Sequence, residues 1–230
     1  MSWIIKPSNP ISCPVFNQDL DFPVNNIYCV GRNYRDHSIE MGSDPDREPP
    51  FFFQKSSEVL LLPGENLNYP ADTNQLHYEV ELVVAISKDC FRVVKEDIHD
   101  AIFGYAVGVD LTKRDIQSQA KQSGKPWLSG KVFYKSAAIS EILMNDEILE
   151  VDKFEISLDV NTKNKQRSSC NDMIWSTEEI IFLLSQNIPL RCGDLIYTGT
   201  PSGVGNLEKG DVVRASLHSK QNISLDFCVK

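Results

Sequence analysis

The chain has 230 residues, 41% hydrophobic and 24% charged, with 23 basic against 32 acidic side chains and a formal net charge of −9. Such a composition predicts a globular protein with a sizeable core, and the acidic balance disfavours general attraction to nucleic acid or anionic membranes. Six cysteines (Cys13, Cys29, Cys90, Cys170, Cys192 and Cys228) lie far apart, with no C-x-x-C pair or zinc-like spacing, and read as buried free thiols.

Residues Met1 to Pro14 mix Lys6 with Pro7, Pro10 and Pro14, so they lack the apolar core of a secretion signal. No apolar run is long enough to span a bilayer, and the expected compartment is the cytoplasm. Residues 1–24, punctuated by Pro10, Pro14 and Pro23, predict an extended arm laid over a main body of residues 25–230. Asn26 to Val30 predicts a short buried strand that turns sharply at Gly31 into Arg32, Asn33 and Tyr34. From Tyr34 to Met41 the pattern suits a short helix closed by Gly42 and Ser43. On it His37 and Glu40 share a face, so the carboxylate can orient the imidazole and raise its basicity. That is the geometry of a general base with its partner, and equally of a solvated surface pair. Asp44 to Pro49 predicts an exposed loop, a plausible lid beside the base. Phe51 to Lys55 returns as a strand whose terminal lysine is either a surface end or a cation aimed at an anionic ligand.

The stretch Leu76 to Ile86 sets two carboxylates into an apolar, β-branched run. In a strand Glu79 and Glu81 share one face, opposite to Val80 and Leu82. Two like charges that close raise each other's pKa unless a cation sits between them. Carboxylate oxygens suit Mg²⁺, Mn²⁺ or Ca²⁺, and a Mg²⁺ site keeps positions open for water or substrate. A solvated strand face with two unremarkable glutamates fits this segment alone as well.

Lys95 to Phe103 predicts a helix with a partly apolar face. Gly104 to Asp110 predicts an apolar strand ending in one acid, and a lone carboxylate there is expensive without a partner, so Asp110 is a third ligand candidate. Thr112 to Gln117 begins a helix on which Arg114 and Gln117 face the same way, suited to a carboxylate and a carbonyl of a small acid. Gly124 to Phe133 predicts a glycine-punctuated loop with Lys131 before an apolar strand, and residues 137–151 a loop with acidic content. Phe154 to Val160 alternates as a half-exposed strand. Trp175 to Gln186 predicts an amphipathic core helix capped by Ser176 or Thr177. The segment from Gly193 to Gly205 predicts a strand running into a glycine-rich loop whose amides can approach an anion. It is neither a P-loop nor a dinucleotide fingerprint. Asp211 to Val229 predicts two short strands.

Taken together and in order, Tyr34 to Glu40, Glu79-Val80-Glu81, Asp110, Lys131 and Thr198 to Gly205 resemble the fumarylacetoacetate hydrolase family over roughly residues 25–225. The acylpyruvase and fumarylpyruvate hydrolase branch is the most similar, through Asp44 to Phe53 and Asn171 to Trp175. The resemblance implies an α+β, β-rich fold, a mixed β-roll of rolled sheets and short helices around a Mg²⁺ or Mn²⁺ site, usually in a homodimer. It implies Glu79, Glu81 and Asp110 as metal ligands, His37 with Glu40 as the water-activating pair on a lid helix, and Lys131 as the cation near a developing enolate. Arg32, Lys55, Arg114, Gln117 and Thr200 fall where the family places substrate contacts. One departure stands out: the family often follows its lysine with phenylalanine and aspartate, whereas Phe133 here precedes Tyr134.

The residues fit hydrolysis of a 2,4-diketo acid, which chelates a metal through its carboxylate and 2-keto oxygens. Oxaloacetate decarboxylation or keto-enol tautomerisation would use the same site without the attacking water. A non-catalytic β-rich protein with a structural cation is the alternative of another class.

Overall fold

In a computed structural model the described residues are 4–5, 10–40, 49–145 and 150–230, less the side chains of Ser38 and Glu40. The β-branched run Val80–Ile86 forms the centre of an eight-stranded mixed sheet. Its order is Phe51–Ser56, Asn26–Gly31, Leu195–Tyr197, Val80–Ile86, Ile102–Asp110, Ala137–Ile139 and Leu60–Leu61, with Leu143–Met144 also paired to Ile102–Asp110. The sheet curls into a half-barrel, and helices are few and short.

Both faces of this sheet are buried, which is why its strands read as continuous apolar runs. One face, with Tyr28, Val30, Leu82, Val84, Tyr105 and Val107, shares a core with a four-stranded antiparallel sheet and with helix Thr177–Ser185. That second sheet runs Lys163–Ser169, Glu155–Val160, Val212–His218, Ile223–Cys228. The other face, with Ile27, Cys29, Val83, Ala85, Ala106 and Tyr197, packs against Cys13, Val15, Phe22 and Val24. A third, three-stranded sheet joins Gly205–Leu207, Leu76–Tyr78 and Thr112–Lys113.

Several local expectations are corrected. Within the predicted N-terminal arm, Ile11–Pro14 and Asp21–Val24 pair as an antiparallel hairpin, because folding back lets both segments bury apolar side chains. Lys95 to Phe103 is not an α-helix. It makes two 3₁₀ turns, Lys95–Asp97 and His99–Ala101, which carry Ile98 and Ala101 into the core just before the strand opens at Ile102. Lys131 closes a single helical turn, Leu128–Lys131, rather than preceding a strand. Residues 137–151 are not all loop, since buried Ala137–Ile139 and Leu143–Met144 add to the main sheet. Glu155–Val160 is mostly buried, not half exposed, because it is an inner strand of its sheet against the core. Cys13, Cys29, Cys90 and Cys170 are buried free thiols, whereas Cys192 is exposed and Cys228 half-buried.

Candidate active site

The three acids meet where strands change sheets. The chain leaves the small sheet at Tyr78, passes Glu79, and enters the main sheet at Val80; on the partner strand it leaves the main sheet at Asp110 and joins the small one at Thr112. Val80 lies opposite Val109 and Glu81 opposite Gly108, and the Asp110 amide donates to the Glu79 carbonyl at 2.8 Å. Alternation therefore puts Glu79, Glu81 and Asp110 on one face of the pair. One carboxylate oxygen from each lies within 4.8 Å of the others, and all three side chains are buried. Gly108 keeps that face tight: a Cβ there would come within 2.5 Å of Tyr197 Cε1 and 2.9 Å of the Ala138 carbonyl.

Cations surround the cluster. Lys131 Nζ donates to Glu79 Oε2 and Asp110 Oδ2, both at 2.6 Å, and to Thr112 Oγ1 at 2.8 Å. The Arg114 guanidinium pairs with Glu79 Oε1 and donates to Gln117 Oε1 at 2.5 Å. Lys55 Nζ lies 2.7 Å from Asp110 Oδ1, but its hydrogen bonds go to the Leu111 and Ser136 carbonyls at 3.1 and 2.7 Å. Glu81 has a different partner, the Gly199 amide, at 2.7 Å. Gly199 has a φ of +97°, and a Cβ there would meet Asn33 Cβ at 2.8 Å, so the position favours glycine on both counts. The anion approached by the glycine-rich loop is thus a carboxylate of the protein.

These surroundings split the acids. Burial alone would raise Glu79, but Lys131, Arg114 and His37 outweigh it and hold the carboxyl far below its usual value. Burial would likewise lower Lys131, yet Asp110 and Glu79 keep its ammonium above the ordinary lysine value. Glu81 goes the other way: burial, then Asp110 and Glu79, push its carboxyl well up. The residues fit a hard divalent cation on three grounds. All three donors are carboxylates. Asp110 Oδ1 is buried and accepts no hydrogen bond, its one close neighbour among the described ion pairs being the Lys55 ammonium. Glu81 feels repulsion from its two neighbours that Lys131 and the Gly199 amide do not offset, and a cation among the three would relieve it.

Above the cluster opens a cleft of about 510 Å³, including solvent at its mouth. Of the residues singled out from the sequence, Glu79, Glu81, Asp110, His37, Lys131, Arg32, Arg114, Gln117 and Thr200 line it. Lys55 does not, because it is buried with its ammonium held by the Leu111 and Ser136 carbonyls and the Asp110 carboxylate. His37 is buried on the short helix Arg35–Glu40. The Glu40 side chain and residues 44–48 of the expected lid lie outside the described residues. Tyr134 is 69% exposed, and Lys131 finds its partners without it.

Several residues at the site were not singled out by sequence reasoning. The buried Gln166 amide donates to Thr200 Oγ1 and the Pro201 carbonyl while accepting from the Val80 amide, so it ties the glycine-rich loop to the central strand. Its one sequence signal is a neutral amide within the charged run Lys163 to Arg167. Asn33 does similar work between Trp175 and Thr198. Phe51, Phe53, Trp127 and Lys121 complete the cleft walls.

The family profile described as fumarylacetoacetate (FAA) hydrolase C-terminal matches residues 26–226. A fumarylpyruvate hydrolase from Ralstonia sp. is 42% identical over 187 residues, 80% of this chain and 97% of that protein. The Escherichia coli oxaloacetate tautomerase YcgM is 37% identical over 193 residues, 84% of this chain and 88% of its own. Among solved structures, fumarylpyruvate hydrolase from Pseudomonas aeruginosa in complex with Mn²⁺ and pyruvate superposes with a TM-score of 0.93 at 39% identity, covering both chains fully. With its fold and nearly its whole length matched in this way, the chain belongs to the fumarylacetoacetate hydrolase family.

Proposed function

We propose that this protein is a Mg²⁺- or Mn²⁺-dependent hydrolase that cleaves a carbon–carbon bond of a 2,4-diketo acid, with fumarylpyruvate the preferred substrate and pyruvate a product. The observation that carries the reading is the convergence of buried Glu79, Glu81 and Asp110 at the base of a cation-lined cleft. Those carboxylates would hold the ion, which when bound supplies a Lewis acid for a chelating 2-keto acid. Arg114 and Gln117 bind the substrate carboxylate and its neighbouring keto oxygen. His37, which lines the cleft with Glu79, takes in its neutral form a proton from the water that attacks the distal carbonyl, and Glu40 orients the imidazole. The bond between C3 and C4 then breaks, C4 leaves as a carboxylic acid, and the electron pair passes to a pyruvate enolate that is protonated at C3. Lys131 stays protonated and stabilises the enolate oxygen. A cytoplasmic homodimer acting on a free small molecule, without nucleic acid or membrane, belongs to the same proposal.

A second reading is oxaloacetate tautomerisation on the same groups, supported by the tautomerases of E. coli and of Bacillus subtilis, the latter 41% identical over 213 residues. Incubating the protein with fumarylpyruvate, acetylpyruvate and oxaloacetate, while following diketo-enol absorbance and pyruvate, separates them. Hydrolysis predicts loss of diketo absorbance matched by pyruvate. Enol–keto exchange of oxaloacetate with both diketo acids intact would favour the tautomerase.

A further inference from the structure

The site has two cations that no acid of the cluster uses. Helix Arg114–Gln122 turns Arg114, Gln117 and Lys121 into the cleft, at the i, i+3 and i+7 positions of one face. Arg114 reaches down to Glu79, whereas Lys121, two turns on, is exposed and makes no ion pair among the described residues. Arg32, which also lines the cleft, has a φ of +61°, an uncommon conformation for a residue with a side chain, and its guanidinium lies 5.7 Å from the centroid of the Phe51 ring. Phe51 in turn meets Trp127 edge-on at 5.2 Å. Trp127 is fixed beside the helix, since the Gly130 and Lys131 amides both donate to its carbonyl and Gly130 abuts the Gln117 backbone.

From the acids outward, the helix face therefore carries Arg114, Gln117 and then exposed Lys121, while Phe51, Trp127 and Arg32 line the same cleft. Seven helical residues separate the two cationic ends of the stripe by about 10 Å of rise. An extended seven-carbon acid spans about 8 Å, and the flexible lysine stem closes the difference. A four-carbon diacid is too short to reach from one end to the other.

We propose that Lys121 and Arg32 form a distal subsite for a second carboxylate, so that the cleft selects acylpyruvates whose planar acyl group ends in an acid. This deepens the proposed function and rests on it for the reactive end, while the subsite can be tested without turnover. The probes are 2-oxoheptanedioate and 2-oxoheptanoate, equal in length and differing only at the far terminus, titrated calorimetrically into the full chain with Mg²⁺ present. The diacid binds about tenfold more tightly to the wild type, as expected for one charge-assisted hydrogen bond. Lys121→Gln and Arg32→Gln each reduce that preference, and Lys121→Arg retains it. Equal affinities in the wild type, or a preference that both glutamine variants keep, would overturn the subsite. In the same variants the ratio of kcat/KM for fumarylpyruvate to that for acetylpyruvate falls in step with the binding preference, and an unchanged ratio counts against it. A wild type that prefers the diacid yet hydrolyses neither diketo acid would preserve the subsite and refute the hydrolase instead.

Discussion

At the scale of single residues, Glu81 is the acid whose position is hardest to reconcile with a metal-free site. Glu79 and Asp110 each contact at least one ammonium or guanidinium, while Glu81 faces them with the Gly199 amide as its hydrogen-bond donor. Its carboxyl is raised in the folded state, by burial first and then by Asp110 and Glu79. Between its unfolded and folded values the native protein holds the extra proton, so stability falls as pH rises through that window. In protein stripped of metal, Glu81→Gln is expected to raise the melting temperature at pH 8 and to abolish the shift produced by Mn²⁺. A lower melting temperature in metal-free buffer would contradict this electrostatic account. The thiols give a second residue-scale test. Burial, with Asp21, pushes Cys13 up to about 12, and burial likewise pushes Cys170 up to about 12. At pH 8 both are almost wholly protonated and shielded, and since the thiolate is the nucleophile they should stay silent. Ellman's reagent on native protein should label exposed Cys192 first, and in Cys192→Ser that rapid phase should vanish.

At the scale of elements, what the sequence made legible was what local chemistry alone dictates. Helix Thr177–Ser185 is written in its own residues: the Ser176 hydroxyl accepts from the Glu179 amide at 3.2 Å and the Glu179 carboxylate accepts from the Ser176 amide at 3.1 Å. Ser176→Ala should cost about 1 kcal/mol, read as a lower urea midpoint at unchanged slope. No change would mean that packing of Ile180, Ile181 and Leu184 dominates the helix. The acids at 79, 81 and 110 were legible because a carboxylate inside a β-branched run is costly and needs a cause. By contrast, the helical turn at Leu128–Lys131 and the short strands at Ala137–Ile139 and Leu143–Met144 depend on partners distant along the chain, so no local pattern foretells them. Gln166, Lys121 and Trp127 were missed for the same reason. Lys55 ends a strand as read, but only the packed structure turns its ammonium toward Asp110.

At the scale of the whole molecule, the seam between the main and small sheets puts three buried acids at the floor of one cleft and four cations, Arg32, Arg114, Lys121 and Lys131, along its walls. A protein with net charge −9 thus presents a locally basic mouth, suited to anionic substrates that its general surface repels. The order of acids, cations and aromatic wall orients a keto acid with its reactive end down. The most direct test is to titrate Mn²⁺ into chelator-stripped protein and measure pyruvate released from fumarylpyruvate. The expected result is no release without metal and saturation at one Mn²⁺ per chain, lost in Glu81→Gln. Full release in the presence of chelator, or none at any metal concentration, would contradict it.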